Sequence, residues 1–183
     1  NAVQEDKIMN ILVLNGSPRP QGNTRQMVHA FAEGAGKGGH KVEIVNVCEK
    51  QIGGCQACEY CHSAGKGTCA QKDDMGEVYE LLKNADMLVI ASPIYYHGIS
   101  GQLKCAIDRF YAAAYPVKPP RLKKAAMILS SGAPDVYEGA LYSFHGDFLD
   151  YLGLENAGVF TAWGSQNGSP EKLEELRKFG ESL

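Results

Sequence analysis

The chain has 183 residues, of which 18 are lysine or arginine and 21 are aspartate or glutamate, so its formal net charge is −3. This length suits one domain, and the charge balance lacks the basic field that neutralises nucleic-acid phosphates. The sequence has no apolar run near the roughly 20 residues needed to cross a bilayer, and its beginning lacks a signal peptide's hydrophobic stretch. We therefore expect a cytoplasmic protein that binds neither nucleic acid nor membrane. Residues 1–7 are mostly polar, as in a tag remnant, and are left out of the fold prediction.

Apolar strand-like runs alternate with helical patterns from one end of the chain to the other. Strands are predicted at 8–14, 42–47, 87–91, 125–129 and 158–162. Helices are predicted at 24–37, 74–84, 101–114, 137–152 and 170–182, the last behind Ser169 as N-cap. The alternation predicts a single α/β domain, a three-layer sandwich whose five-stranded parallel sheet has helices on both faces. For this sheet we expect the doubly wound strand order 2-1-3-4-5.

The loop after the first strand has the composition of an anion site. Residues 16–24 read Gly-Ser-Pro-Arg-Pro-Gln-Gly-Asn-Thr, between an apolar strand and a helix start. A helix N-terminus carries unpaired N–H groups and partial positive charge, which suit a phosphate. The loop adds donors that fit one phosphate monoester, carried by Ser17, Arg19, Gly22, Asn23 and Thr24. The alternative is an ordinary Gly/Pro-rich turn in which Asn23 caps the helix.

Two stricter phosphate motifs do not describe this loop. A Walker A loop needs a lysine after its last glycine, whereas Gly22 is followed by Asn23. A Gly-x-Gly-x-x-Gly pattern occurs at Gly34, Gly36 and Gly39, but it ends a helix and precedes a strand, the reverse of the order in dinucleotide folds. We interpret it as a flexible helix terminus and disfavour nucleoside triphosphates.

Two further loops are expected at the same edge of the sheet, where strands 1 and 3 flank the reversal of strand order. The loop after strand 3 would line a flat ring such as isoalloxazine with two aromatic side chains and backbone amides, through Pro93, Ile94, Tyr95, Tyr96, His97 and Gly98. The alternatives are half-buried tyrosines that anchor the loop and a surface histidine. The loop after strand 4 brings Ser131 and Gly132 to the ring's other side, and Asp135 is predicted to cap the next helix.

The connection 49–73 is far longer than the usual strand-to-helix loop and contains four clustered cysteines, Cys55, Cys58, Cys61 and Cys69. Metal ligation would give such a segment its order. Repeated two-residue gaps favour an iron-sulfur cluster, while zinc on four thiolates and a metal-free loop remain open. The two isolated cysteines, Cys48 and Cys105, are predicted to be buried structural thiols.

Together these motifs resemble the NAD(P)H-dependent FMN reductases of the flavodoxin-like fold, and more narrowly the iron-sulfur flavoproteins. The resemblance also rests on segments 72–75 and 100–104 and on Asp108-Arg109. It implies that the loop 16–24 holds the FMN phosphate, that 93–98 lines the isoalloxazine, and that the four cysteines hold a [4Fe-4S] cluster. It further implies a homodimer or homotetramer.

The resemblance implies an oxidoreductase in which FMN takes electrons at N5 from NAD(P)H or a reduced carrier and passes them to an unidentified small-molecule or protein acceptor. We therefore predict no side-chain nucleophile or general base. Two other functions remain open. One is a non-enzymatic flavodoxin-like electron carrier, which the weak net charge disfavours because carriers use a strongly acidic docking face. The other is a zinc-stabilised interaction module.

Overall fold

The computed structural model describes residues 8–183 and contains five parallel strands in the order β2-β1-β3-β4-β5, which confirms the predicted topology. The strands are β1 (Asn10–Asn15), β2 (Lys41–Asn46), β3 (Met87–Pro93), β4 (Lys124–Ser131) and β5 (Glu155–Trp163). In the register of the central strands, Val13 of β1 lies opposite Ile44 of β2 and Val89 of β3. All five strands therefore end at one edge, where the loops predicted to bind a ligand begin.

The helices are α1 (Asn23–Lys37), α2 (Met75–Asn84), α3 (Gly101–Asp108), α4 (Tyr111–Ala114), α5 (Glu138–Ser143) and α6 (Pro170–Glu181). Ser169 caps α6 as predicted, because its hydroxyl accepts the Lys172 N–H at 3.2 Å. The helix predicted at 101–114 is two helices, separated where Arg109 and Phe110 make tighter three-residue bonds. The one predicted at 137–152 widens after α5 into a π-helix over Phe144–Tyr151.

Helices cover both faces of the sheet, so β1 is apolar on both sides. Ile11 and Val13 pack with Phe31 of α1 on one face, while Leu12 and Leu14 face α2, α3 and α5 on the other. Because both faces of the strand are buried, its sequence is a continuous apolar run instead of an alternating pattern. No helix within residues 8–183 is long and apolar enough to cross a membrane.

The glycines near the end of α1 serve packing as well as termination. A Cβ on Gly34 would lie 2.0 Å from the Arg177 carbonyl oxygen of α6, and one on Gly180 would lie 2.4 Å from the Phe31 oxygen. The two backbones therefore approach closely. The predicted flexible terminus is wrong for Gly34, which is held against α6, whereas Gly39, at φ +86°, does turn the chain out of the helix.

Candidate functional site

A cleft opens at the carboxyl ends of the strands, between the loops that follow β1, β3, β4 and β5. Its wall is formed by Ser17, Arg19, Gly22, Asn23, Thr24, Pro93, Ile94, Tyr95, Ser130, Ser131, Gly132 and Asn167. The structure thus brings most of the predicted cofactor-binding residues together, and it adds Ser130 and Asn167. Ser130 could have been found as a polar residue at the end of an apolar strand, but Asn167 lies in a loop without a motif.

The start of α1 presents unpaired donors to this cleft. The first bond of the helix runs from Gln26 N–H to the Gly22 oxygen at 3.1 Å. The N–H groups of Asn23, Thr24 and Arg25 have no acceptor within the described chain. Asn23 is therefore not the N-cap. That position belongs to Gly22, in extended conformation, where a Cβ would lie 3.0 Å from Ser17 Oγ and 3.2 Å from the Arg19 oxygen.

Side-chain hydrogen bonds fix the loop and the helix to the sheet. The hydroxyls of Thr24 and Ser130 lie 2.6 Å apart and are buried, so they tie the first turn of α1 to β4. Asn15 accepts the Ser17 N–H at 3.1 Å and donates to Asn46 Oδ1 at 2.9 Å. These contacts hold the loop 16–24, called the phosphate-type loop below, in place against the sheet.

The loop after β3 turns sharply at its tip. Tyr95 and Gly98 exchange backbone hydrogen bonds of 2.9 and 3.0 Å, and the two residues between them have φ of 48° and 64°. Positive φ at both central positions is the pattern of a type I′ hairpin turn, and it is costly for residues other than glycine. Tyr96, His97 and Gly98 form this tip and are not part of the cleft wall, and Tyr96 is fully exposed.

Three backbone N–H groups of the loop after β3, which the sequence predicts to face a flat ring, already donate to protein carbonyls. The Ile94 N–H donates to the Ser130 oxygen, and those of Tyr95 and Gly98 bond each other's carbonyls. The Gly132 N–H, in the opposite wall, has no acceptor in residues 8–183. A ring in the cleft would therefore meet side chains on the β3 side and an open N–H on the β4 side.

Polar contacts inside the cleft leave one acceptor open. The Asn167 amide donates to the Ser131 oxygen at 2.7 Å, while its Oδ1 is buried without a partner in the described part of the chain. The Ser131 hydroxyl donates to the Ala133 oxygen and lies 2.7 Å from Tyr137 Oη. The Tyr137 hydroxyl in turn donates to the Ala162 oxygen. Asn167 Oδ1 is therefore placed to accept a hydrogen bond from a ligand.

Asp135 does not cap α5. It lies at φ 57° two residues before Tyr137, the residue at the N-cap position, and α5 has no side-chain cap bond among the described residues. The turn after β4 places the carboxylate outside the first turn of the helix. The predicted capping role is wrong.

The four clustered cysteines line a second cavity, together with Tyr79, Arg109 and Tyr111. Ala57 and Glu59, on either side of Cys58, have φ of 51° and 55°, so the chain turns at these two residues beside the cavity. Burial raises the pKa of the Cys61 thiol, and it raises that of Tyr79 to about 12. Across residues 8–183, no three histidine, cysteine or acidic side chains are close enough together to hold a metal ion.

Protein contacts also tie the cysteine segment, residues 49–73, to the rest of the domain. Arg109, 2% exposed, donates to both carboxylate oxygens of Asp73 at 2.6 and 3.0 Å and to the Gly53 oxygen at 3.1 Å. Asp73 also accepts the Gly53 N–H at 3.0 Å. The hydrogen bonds from Arg109 lower the pKa of Asp73, so the carboxylate stays ionised under the loop.

The two isolated cysteines are half-buried instead of fully buried. Cys48 donates to the Gly16 oxygen at 3.3 Å, beneath the phosphate-type loop, and burial raises the pKa of its thiol. Cys105 lies on α3 and is likewise half-buried. Both are free thiols of intermediate burial, as expected of structural cysteines.

Helix α3 begins near the cleft and ends near the cysteine cavity. The N–H of Ser100, just before the helix, donates to Ser92 Oγ at the end of β3, next to the cleft. Arg109, just after the helix, lines the cysteine cavity. The eight residues of α3 span about 12 Å, so the cavities lie near opposite ends of one short helix.

The fold and the cleft define a class: a flavodoxin-like α/β protein in which the N-terminus of α1 opens into a cleft at the carboxyl edge of the sheet. A family model described as NADPH-dependent FMN reductase matches residues 9–178, and the chain belongs to this family. The solved structure of NAD(P)H:quinone oxidoreductase from Methanothermobacter marburgensis superposes with a TM-score of 0.78 at 22% identity, over 97% of this chain and 96% of that one. That likeness concerns the fold.

Two curated relatives are iron-sulfur flavoproteins. One from Archaeoglobus fulgidus is 36% identical over 124 residues, which is 68% of this chain and 60% of the relative. One from Methanocaldococcus jannaschii is 35% identical over 101 residues, which is 55% of this chain and 51% of the relative. The chain therefore matches between about half and three fifths of the length of these two proteins.

Proposed function

We propose that the chain is an FMN-dependent oxidoreductase that takes electrons from NAD(P)H or a reduced carrier and passes them to an acceptor of unknown identity. The observation that carries the proposal is the start of α1, where three N–H groups without acceptors in the described chain meet the cleft beside Arg19. Backbone donors, a helix dipole and a guanidinium suit a phosphate monoester. Because the chain belongs to the FMN reductase family, we take this phosphate monoester to be that of FMN.

The remaining walls fit the rest of FMN. Asn167 Oδ1 suits a ribityl hydroxyl, because it is a buried acceptor without a donor in residues 8–183. Tyr95 and Ile94 offer apolar surface to one side of a ring, and Gly132 offers an open N–H on the other. When bound, the flavin supplies the electron chemistry at N5, while these residues bind, orient and shield it.

We further propose that the cysteine cavity holds a [4Fe-4S] cluster. The four thiols share one cavity, as cluster ligands must. The spacing of the cysteines, with two residues between Cys55 and Cys58 and two between Cys58 and Cys61, favours the cluster over zinc, because a short loop with repeated two-residue gaps can wrap a cubane. The relatives' names add support, since both are called iron-sulfur flavoproteins.

The proposal also includes a homo-oligomer working in the cytoplasm. The six cysteines are free thiols, which suits a reducing compartment. Tyr115, Val117 and Tyr151 are large apolar side chains that remain 41%, 77% and 63% exposed, and a second copy would cover such surface. Sedimentation velocity tests the oligomer, and a monomer at micromolar concentration would contradict it.

Purification under anaerobic conditions tests the whole proposal. We expect bound FMN, iron and acid-labile sulfide, and oxidation of NADH or NADPH with turnover. Bound flavin that only a protein carrier reduces would point to the electron carrier instead. Colourless protein containing zinc and no flavin would point to the interaction module.

A double substitution tests the phosphate site. Replacing both Arg19 and Asn23 by alanine should weaken FMN binding at least about 100-fold, because each hydrogen bond to a charged group contributes about 1.5–3 kcal/mol. The dissociation constants of FMN and riboflavin are measured by flavin fluorescence. The variant should lose the preference for FMN, since riboflavin lacks the phosphate.

The matched control replaces Arg121 and Asn84, an arginine and an asparagine whose side chains donate to Asp86 and to the Glu80 oxygen at the opposite end of the strands. This control should keep the preference for FMN. Equal FMN affinity in the R19A/N23A variant and the parent protein would overturn the site.

A further inference from the structure

One charged group in the wall of the cysteine cavity is unused by the proposed function. The side chain of Arg109 is fully buried, and the residue lines the cavity together with Cys55, Cys58, Cys61 and Cys69. Burial of a cation is costly unless it is paired and hydrogen-bonded. Its pairing partner is Asp73, and its second acceptor is the Gly53 oxygen. Hydrogen bonds with Asp73 and Tyr79 outweigh burial and raise the pKa of Arg109, so the guanidinium stays charged.

One nitrogen of the guanidinium makes no hydrogen bond within residues 8–183. The two terminal nitrogens carry the bonds to Asp73 and Gly53, whereas Nε is buried and has no acceptor among residues 8–183. A buried donor without a partner is rare in folded proteins and calls for a further acceptor or a functional role. The other groups of this wall include four thiol sulfurs, which accept hydrogen bonds when they ligate iron.

We infer that Arg109 tunes the reduction potential of the bound cluster. This inference rests on the proposed [4Fe-4S] cluster. The Arg109 Nε–H donates to a sulfur of the cluster site, and the guanidinium charge stabilises the reduced form, which carries one more negative charge. One electron enters from reduced flavin or from dithionite, no bond forms or breaks, and the guanidinium keeps its proton. Arg109 therefore raises the potential, as charge and hydrogen bonds near the sulfurs do in such sites.

The ion pair allows a test in which structural and electrostatic roles give different signs. R109Q removes the positive charge, and D73N removes the negative charge beside it. If the pair only holds the loop in place, both variants break it and disturb the cluster in the same direction. If the charges act on the cluster, R109Q lowers the potential and D73N raises it.

The measurement is a potentiometric titration of the purified, cluster-loaded protein followed by electron paramagnetic resonance. At a fixed ambient potential we expect R109Q to decrease the ratio of reduced to oxidised cluster about tenfold, which corresponds to about 59 mV for one electron. D73N should increase this ratio. R109K keeps the charge, so its potential should lie between those of R109Q and the parent, and it covers the case in which R109Q does not fold.

R121Q is the matched control, because Arg121 also donates to both carboxylate oxygens of an aspartate, Asp86, but outside the cysteine cavity. Its potential should equal that of the parent. Equal potentials in all variants, or shifts of one sign in R109Q and D73N, would overturn the role of Arg109. Parent protein without iron and sulfide would overturn the cluster itself, and a full iron and sulfide content separates the two failures.

Discussion

At the scale of single residues, the cysteine segment depends on one buried ion pair. Asp73 accepts two hydrogen bonds from Arg109 and one each from the N–H groups of Gly53 and Met75. These bonds favour the charged carboxylate in the folded chain, so its pKa is lower there than in the unfolded chain. The pair therefore links the order of the segment to pH.

The sign of this linkage gives a prediction. An aspartate whose pKa is lowered by folding stabilises the fold above its unfolded pKa of about 3.9, and this contribution is lost as pH falls through the lower, folded value. We expect the free energy of unfolding of the parent to fall between about pH 5 and pH 3 more steeply than that of D73N. Urea unfolding followed by circular dichroism at several pH values measures it.

The control for the pH experiment is D108N, which changes an exposed aspartate paired with Lys104. Exposed pairs contribute little to stability, so the D108N and parent slopes should agree. Parallel pH profiles for the parent and D73N would show that the Asp73 pair does not contribute.

At the scale of elements, α1 carries the proposed phosphate site at its first turn and is positioned by its contact with α6. Gly34 and Gly180 bring the two helix backbones together, and the rings of Phe31 and Phe179 pack at 5.5 Å beside them. The N-terminus of α1 can present its donors accurately because the other end of the helix is packed against a neighbour. Of the three glycines in the Gly-x-Gly-x-x-Gly pattern, Gly34 thus serves helix packing.

Two alanine substitutions separate packing from helix propensity. In G34A the new Cβ would lie 2.0 Å from the Arg177 oxygen, a backbone atom, so we expect the free energy of unfolding to fall by about 1–3 kcal/mol. In G36A nothing lies within 4 Å of the new Cβ, so the higher helix propensity of alanine should raise it by about 0.5–1 kcal/mol. Urea unfolding measures both. Equal effects of the two substitutions would contradict close packing at Gly34.

The helix boundaries show which features of the fold local sequence patterns can predict. The starts of α1, α2 and α6 lie within one residue of their predictions, because caps, prolines and apolar periodicity are local signals. The break between α3 and α4 has no such signal. Arg109 has good helix propensity, but it leaves the helix where its side chain pairs with Asp73, 36 residues away in the sequence.

At the scale of the whole molecule, the cleft and the cysteine cavity have no lining residue in common. The cleft is formed by residues before position 25 and after position 92, whereas the cysteine cavity is formed by residues 55–71, Tyr79 and the turn after α3. Loss of one cofactor should therefore leave the other site intact. In the proposed function, electron transfer between the flavin and the cluster requires both cofactors.

Removal of cluster ligands tests this independence. A C58S/C61S variant should contain no iron or sulfide but keep FMN in a 1:1 ratio, because no residue of the cysteine segment lines the cleft. Metal analysis and flavin fluorescence measure the two contents. C105S, which changes a cysteine outside the cavity, should keep both. Loss of FMN from C58S/C61S would contradict separate sites.

The sequence by itself determined the fold class and the phosphate-type loop, because buried parallel strands, helix starts and glycine-rich turns have local signatures. It also singled out the four cysteines. Only the tertiary structure showed that Asn167 lines the cleft, that Tyr96 and His97 lie outside its wall, and that Arg109 lines the cysteine cavity. Those positions depend on contacts between distant segments, and packing and pairing across such distances leave no periodic trace in the chain.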